Sequence, residues 1–223
     1  PGEAVYDPAC GSGGMLVATI NQLREAGKDH RSLRLYGQEI NLTTASIARM
    51  NLFLHEIEDF VVKRGDTLRA PAFKDTKGAV RTFDVVIANP PFSLDKWGAE
   101  DADSDQFKRF WRGVPPKSKG DYAFITHMIE IAKRQSGRVA VIVPHGVLFR
   151  GGSEADIRRN LIEANHIDAI IGLPSNIFYG TGIATIIMVL KQERDRDDVL
   201  FIDASRDFVL GKKQNQLGPE RSE

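Results

Sequence analysis

Short apolar runs alternate with helix-like patterns along this chain. Apolar residues recur at helical spacing within residues 13–26, 42–55 and 121–135, and Ser153-Glu154-Ala155-Asp156 resembles a capping box that opens a fourth helix. The apolar runs between them predict strands at residues 4–6, 34–40, 59–65, 83–88, 139–143, 167–173, 183–190 and 199–202. This alternation indicates an α/β fold with a doubly wound, mostly parallel sheet. The last strands follow one another without a full crossover helix, which predicts at least one antiparallel pairing.

The fourth predicted strand ends in the tetrapeptide Asn89-Pro90-Pro91-Phe92. Each proline removes a backbone donor and fixes its own φ, and the residue before each proline is held extended. The strand therefore ends in a stiff tip with an amide, backbone acceptors and an aromatic face, which suits a planar heterocycle with an exocyclic amino group. For Pro-Pro alone, a strand followed by a proline-rich turn would be the better interpretation. A second motif upstream favours the interpretation that the tip binds such a heterocycle.

That second motif is Asp7-Pro8-Ala9-Cys10-Gly11-Ser12-Gly13-Gly14, which lies between the first predicted strand and the first helix. A strand, a glycine turn and a helix open a nucleotide-binding βαβ unit. The glycine spacing is not the dinucleotide pattern, and the lysine of a P-loop is missing. The acid before the turn would repel a pyrophosphate but suits a cation, and S-adenosylmethionine carries sulfonium and ammonium groups.

Two further acids follow predicted strands. Glu39 stands at the end of the second strand, where it can accept ribose hydroxyls, and Asp66-Thr67 follows the third, where the carboxylate can accept from an adenine amino group. Either acid alone is more often a solvated loop residue. Ligands of open α/β sheets bind outside the carboxyl ends of the strands, so the acids together predict one adenosyl pocket.

The two motifs together resemble the signatures of adenine-N6 DNA methyltransferases, and more narrowly the modification subunit of type I restriction-modification systems. Further similar segments run nearly end to end: Tyr36-Gly37-Gln38-Glu39, Gly65-Asp66-Thr67-Leu68, Gly120-Asp121-Tyr122-Ala123-Phe124-Ile125, Val143-Pro144-His145-Gly146-Val147-Leu148-Phe149, Leu173-Pro174-Ser175-Asn176-Ile177-Phe178-Tyr179 and Phe201-Ile202-Asp203-Ala204-Ser205.

The resemblance implies a Rossmann-like methyltransferase fold with seven strands, one of them antiparallel. It implies that S-adenosylmethionine binds at ten residues, and that one of them, Asn89, also binds the target base. The ten residues are Asp7, Ala9, Gly11, Ser12, Gly13, Glu39, Ile40, Asp66, Thr67 and Asn89. Asn89, Pro90, Pro91 and Phe92 are then the catalytic residues that take a flipped adenine. The partners that it implies are DNA, a specificity subunit, a restriction subunit and a second copy of the modification subunit.

The resemblance also predicts how the chain is organised. We expect residues 1–192 to form the catalytic domain, and residues 193–223 to form an additional strand and a polar tail that leads to a C-terminal helical region. The chain begins six residues before Asp7 and stops at Glu223, so we expect an excised catalytic core or a truncated product.

Composition and charge limit the remaining possibilities. The 223 residues are 42% hydrophobic, and the single cysteine, Cys10, excludes an internal disulfide framework and a cysteine-based zinc site. No signal peptide or long apolar run appears, which predicts a cytoplasmic protein without a membrane partner. The five histidines show no metal-ligand spacing, so no metal is expected.

The formal net charge is zero, with 30 basic and 30 acidic residues. A protein that grips DNA alone is usually more basic, because phosphate neutralisation supplies most non-specific affinity. The balance fits a catalytic subunit that relies on a partner for DNA binding. One local exception is residues 107–119, where basic and aromatic side chains interleave; this segment is either a DNA contact or a solvated loop.

Three other functions share parts of this pattern. A protein-glutamine or RNA methyltransferase can use a similar tip, although tyrosine is more usual there in place of Phe92. A stand-alone type II adenine methyltransferase would need its own sequence-reading domain. A catalytically silent assembly subunit would keep the fold without the chemistry, but the intact acids and Asn89 argue against it.

Overall fold

A computed structural model describes residues 2–218, and its centre is one eight-stranded sheet in the order β3-β2-β1-β4-β5-β7-β6-β8. The strands are β1 Ala4–Asp7, β2 Arg34–Glu39, β3 Phe60–Arg64, β4 Val85–Ala88, β5 Arg138–Pro144, β6 Ile167–Gly172, β7 Thr185–Leu190 and β8 Leu200–Asp203. All neighbours are parallel except β7, which is antiparallel to β5 and β6. The predicted α/β fold, a doubly wound and mostly parallel sheet with one reversed strand, is confirmed, and the additional strand joins the same sheet as β8.

Helices cover both faces of the sheet. They are α1 Gly14–Glu25, α2 Leu42–Leu54, α3 Asp121–Glu130 and α4 Ser153–Glu163. Side chains of a strand point alternately to the two faces. Val5 accordingly packs in a cluster with residues of α1 and α2, and its neighbour Tyr6 packs in a second cluster with residues of α3 and α4. This two-sided burial explains why the strand sequences are almost continuously apolar.

The strand order reverses between β1 and β4. From β1 the chain builds β2 and β3 towards one edge, and then returns to place β4 and β5 on the other side of β1. Ligands of doubly wound sheets bind at this switch point, outside the carboxyl ends of the strands. The glycine turn follows β1 and the Asn-Pro-Pro-Phe tip follows β4, so the topology places both motifs at the switch point.

Two local predictions about helices are wrong. Helix α3 ends at Glu130, not at residue 135, because the next residues pair with Phe83: its N–H donates to Ile131 O at 2.9 Å, and Lys133 N–H donates to its carbonyl at 2.9 Å. The capping box before α4 does not form. Gly152, with φ 66°, is the N-cap residue, and Ser153 is the first residue of the helix.

The chain beyond β8 forms a small hairpin that the periodicity did not predict. Its strands are β9 Phe208–Val209 and β10 Gln216–Leu217, which pair antiparallel. Residues 219–223 of the predicted polar tail lie outside the described residues. Among residues 2–218, no helix combines the length and the apolar character that a membrane crossing requires.

Candidate active site

A cavity of about 380 Å³ opens at the switch point, between the turns that follow β1, β2, β3 and β4. Its lining includes eight of the predicted site residues: Ala9, Gly11, Glu39, Ile40, Asp66, Thr67, Asn89 and Pro91. Pro8, Gly65, Leu68, Leu94 and Phe124 complete the wall. The predicted residues Asp7, Ser12, Gly13, Pro90 and Phe92 are not part of this lining.

The glycine turn is tied to the second strand by Glu39. Gly11 N–H donates to Glu39 Oε2 at 3.1 Å, and Asn41 N–H donates to Glu39 Oε1 at 2.8 Å. Gly11 has φ 52° and Gly13 has φ 83°, backbone conformations that favour glycine. A carboxylate oxygen has two lone pairs, so each Glu39 oxygen can still accept a hydrogen bond from a ligand.

Asp7 lies behind the turn and is only 2% exposed. Its Oδ1 accepts the Ala9 N–H at 2.9 Å. The pKa of Asp7 is raised to about 7: burial is the largest cause and the nearby Glu39 carboxylate acts in the same direction, while the Ala9 hydrogen bond partly opposes them. The carboxyl group that was predicted to face a cation is thus a buried acid poised near neutral pH.

Cys10 is packed where β2 passes the turn. A Cβ atom on Gly37 would lie 2.8 Å from Cys10 Sγ, so the two residues approach too closely for a larger pair. Burial raises the pKa of the Cys10 thiol to about 12, which leaves it protonated at neutral pH. The thiol is a small core side chain and is not activated as a nucleophile.

Asp66 and Thr67 hold the turn after β3. Asp66 Oδ1 accepts the N–H groups of Leu68 at 2.9 Å and Arg69 at 3.1 Å. The Thr67 hydroxyl donates to Pro8 O at 2.5 Å, which connects this turn to the glycine turn. Thr67 is therefore buried against the backbone, and Asp66 is the more accessible of the two.

The tip after β4 places an exposed amide beside a partly exposed ring. Asn89 is exposed and lines the cavity, whereas Pro90 is buried. The Phe92 ring meets the Phe178 ring edge-to-face, with centroids 5.9 Å apart and planes at 78°. Sequence reasoning gave Phe178 no role, because it comes from the loop between β6 and β7, far along the chain.

Asp121 fixes the backbone that follows the tip. It is 1% exposed, and its Oδ1 accepts the Ser93 N–H at 2.7 Å while Arg150 Nη2 donates to its Oδ2 at 2.8 Å. Ser93 has φ 50°, in the left-handed region. Gly120 N–H donates to Leu94 O at 2.9 Å, so the start of α3 holds two successive residues of the tip loop. The sequence signal for this role is weak, because an acid in the first turn of a helix is common.

The basic and aromatic segment 107–119 is largely structural. Arg109 is buried: it pairs with Asp105 at 2.7 Å and donates to Thr67 O at 3.1 Å and Leu68 O at 2.7 Å. Arg112 is buried against Glu130 and His166, and Phe110 packs on Trp97. The DNA-contact hypothesis is therefore wrong for Arg109, Phe110 and Arg112, which are buried within the protein. Lys108, Trp111 and Lys117 remain exposed.

Nearly the whole chain is similar to known DNA methylases. The N-6 DNA Methylase family matches residues 1–223. The type I restriction enzyme MpnII methylase subunit of Mycoplasma pneumoniae is 41% identical over 99% of this chain, which spans 42% of that protein. The EcoKI methylase subunit of Escherichia coli is 32% identical over 84% of this chain and 36% of its own length.

Solved structures also show similarity to a type I methyltransferase subunit. The crystal structure of the methyltransferase subunit of a type I restriction-modification system from Streptococcus thermophilus superposes with a TM-score of 0.86 and 39% identity, over 98% of this chain and 46% of that one. The chain thus spans less than half the length of these relatives.

Proposed function

We propose, from the premise that this chain belongs to the N-6 DNA methylase family, that it forms the catalytic region of the methyltransferase subunit of a type I restriction-modification system. Its reaction would be methyl transfer to N6 of adenine in DNA. One observation carries the proposal: Asn89 lines the same cavity as Glu39 and Asp66. The side chain suited to an adenine amino group therefore adjoins the acids suited to an adenosyl group.

The residues around the cavity fit S-adenosylmethionine. Its volume lies in the range of small-molecule sites, and Leu68, Leu94 and Phe124 give it apolar walls. Glu39 would accept ribose hydroxyls with its remaining lone pairs, and Asp66 would accept from the adenine amino group. Ala9 and Gly11, which line the cavity, would contact the methionine part. Ser12 and Gly13 of the same turn would complete its surroundings, and the carboxylate of the buried Asp7 would balance its positive charge from behind the turn. S-adenosylmethionine supplies an electrophilic methyl group when it is bound.

The tip would activate adenine without a strong base. The N6 lone pair of adenine is delocalised into the ring, so this nitrogen is a poor nucleophile. If Asn89 Oδ1 and the Pro90 carbonyl accept the two N6 hydrogens, the nitrogen can pyramidalise and its lone pair becomes available. The same fixed dipoles stabilise the positive charge that develops on N6. Holding the base in this orientation removes up to about 7–11 kcal/mol of the barrier in well-oriented systems.

The base must leave the duplex before it reaches the tip. Extrusion costs a few kcal/mol, and stacking on the partly exposed Phe92 ring would return about 1–3 kcal/mol. Phe178 supports that ring from its edge. The net charge of zero leaves little general attraction for DNA, so we propose that a specificity subunit selects the site. A restriction subunit and a second modification subunit would complete the complex, which would act on DNA in the cytoplasm.

Methyl transfer from tritiated S-adenosylmethionine to unmethylated DNA tests the proposal, with and without a specificity subunit. We expect transfer only in the reconstituted complex. Asn89→Ala should lose transfer while cofactor binding, measured by calorimetry, stays largely intact, because Asn89 is one of many residues that line the cavity. Asn21→Ala, on α1, is the matched control. Full activity of Asn89→Ala would refute the role of the tip.

The same assay separates the alternative functions. Transfer to DNA without a partner would indicate a stand-alone enzyme, and transfer to RNA or protein in place of DNA would indicate a different substrate class. Cofactor binding without transfer to any of these substrates would indicate an assembly subunit.

A further inference from the structure

The loop between β6 and β7 brings Phe178 to the tip. This loop spans residues 173–184 and contains two residues with positive φ, Asn176 at 57° and Gly180 at 78°. Within the loop, the described structure shows the bridge between Phe178 and Thr181 and a hydrogen bond from Ile183 N–H to Thr181 Oγ1 at 3.2 Å. Neither contact involves residues 174–177, so contacts from outside the loop are needed to fix the segment that leads to Phe178.

Those contacts come from the hairpin β9–β10. Three successive carbonyl groups of the loop accept hydrogen bonds from two hairpin residues. Asn215 Nδ2 donates to Ser175 O at 3.0 Å, and Asn215 N–H donates to Asn176 O at 2.7 Å. Gln214 Nε2 donates to Ile177 O at 3.3 Å. The residue after these three is Phe178.

The hairpin is itself anchored to the sheet. Ala204 N–H, directly after β8, donates to Gly172 O at 3.0 Å, and Gly172 is the last residue of β6. Asp207 N–H donates to Ala204 O at 3.1 Å, and Gly218 N–H closes the hairpin onto Asp207 O at 3.1 Å. A continuous series of backbone hydrogen bonds thus connects the sheet to the hairpin. Asn215 is only 8% exposed, which is unusual for an asparagine in a short surface hairpin.

We propose that Asn215 is a positioning residue for the target base. By occupying the Ser175 and Asn176 carbonyls, it fixes the loop that presents Phe178, and Phe178 in turn fixes the ring of Phe92 on which the base stacks. This inference rests on the proposed function, because it assigns the Phe92 face to a flipped adenine. The cofactor cavity lies at β1–β4 and shares no lining residue with the hairpin or this loop, so the two effects are separable.

The test substitutes Asn215 with aspartate in the full-length subunit, assembled with its specificity subunit. Asp has the same size, but it would place a carboxylate oxygen against the Ser175 carbonyl in place of a donor. Gln214→Ala is a milder second variant that removes only the bond to Ile177 O. Lys212→Ala and Lys213→Ala, at exposed positions of the hairpin turn, are the matched controls.

Two measurements are made on each protein. Hydrogen exchange should become at least tenfold faster for amides of residues 173–184 in Asn215→Asp and remain unchanged for β1 to β3. The turnover number for methyl transfer to unmethylated DNA should fall at least tenfold, while the dissociation constant for S-adenosylmethionine stays within twofold. Gln214→Ala should change both in the same direction by a smaller factor, and the lysine variants should behave as wild type.

The outcomes distinguish this inference from the proposed function. Unchanged exchange of residues 173–184 in both Asn215→Asp and Gln214→Ala overturns it, whatever the activity. Faster exchange with an unchanged turnover number also overturns it, as does a parallel loss of cofactor affinity, which would indicate general unfolding. A wild-type enzyme that transfers no methyl group to DNA would instead refute the proposed function.

Discussion

Replacing Asp7 with asparagine should change the stability of the protein in a pH-dependent way. The free energy of unfolding of Asp7→Asn minus that of wild type should be larger at alkaline pH than at acidic pH. Asp7 is 2% exposed, and burial raises the pKa of its carboxyl from 3.8 to about 7. Asparagine keeps an oxygen that can accept the Ala9 N–H, but it cannot ionise. The substitution therefore removes the buried charge and leaves the turn's hydrogen bond available.

The pKa change sets the size and the sign of the effect. Below pH 3.8 the carboxyl binds a proton in both the folded and the unfolded state. Between pH 3.8 and about 7 only the folded state keeps that proton, so the contribution of Asp7 to the free energy of unfolding falls as the pH rises and is constant above pH 7. Since one pH unit corresponds to 1.36 kcal/mol, the total fall is about 4 kcal/mol.

Urea unfolding at pH 4.5 and pH 8.5, followed by circular dichroism, measures the effect. Between these two values the free energy of unfolding of Asp7→Asn minus that of wild type should rise by about 3 kcal/mol, because about 2.5 pH units separate pH 4.5 from the folded-state pKa of about 7. Asp203→Asn is the control: hydrogen bonds from Ser205 lower the pKa of Asp203, so that carboxyl is already ionised throughout this range. An equal stability difference at the two pH values would refute the argument.

The same variant tests the role of Asp7 in cofactor binding. If its carboxylate balances the positive charge of S-adenosylmethionine, wild type should bind the cofactor more tightly as the pH rises through about 7. Asp7→Asn should bind it more weakly, without this dependence. Calorimetry at three pH values would show both effects, and identical profiles for the two proteins would exclude the charge-balancing role.

Three further predictions concern packing. Gly37→Ala should destabilise the protein by about 1–3 kcal/mol in urea unfolding, because the new Cβ would lie 2.8 Å from Cys10 Sγ. Adding Cys10→Ala should recover part of the lost stability, and no recovery would contradict the clash. Iodoacetamide at pH 8 should label Cys10 only after unfolding, because burial raises its pKa to about 12; rapid labelling of the folded protein would contradict this. Arg109→Ala should lower the free energy of unfolding by about 3–5 kcal/mol, because it leaves Asp105 buried and unpaired. Lys108→Ala, the control, should not change the melting temperature. Equal melting temperatures for the two variants would disprove a structural role for Arg109.

The sequence predicted what depends on local pattern. Strands and helices followed from apolar periodicity. Glu39 and Asp66 met in one cavity because parallel strands bring their carboxyl ends to one edge, whereas Asp7 is buried behind the turn and is not part of the lining. The position of Asn89, exposed at the end of β4, likewise followed from the residues beside it. These features depend on near neighbours or on a topology that alternation itself implies.

What the sequence did not predict depends on partners far along the chain. Helix α3 ends early because Phe83, about fifty residues before, takes its backbone hydrogen bonds. Arg109 belongs to the core because its partner carbonyls are those of Thr67 and Leu68. Periodicity carries no information about such pairings. Neither does it indicate a hairpin whose strands are two residues long.

The pairing of β1 with β4 determines more than the location of the site. Tyr6 lies beside Val86 in parallel register, so the glycine turn and the Asn89 tip leave the sheet from adjacent strands. Adjacent strands are about 4.8 Å apart in every sheet. The spacing between the wall that would hold the methyl donor and the wall that would hold the base is therefore a property of the backbone. Surface residues can be substituted without altering this distance, whereas a one-residue shift in the pairing register of β4 would turn Asn89 to the opposite face of the sheet.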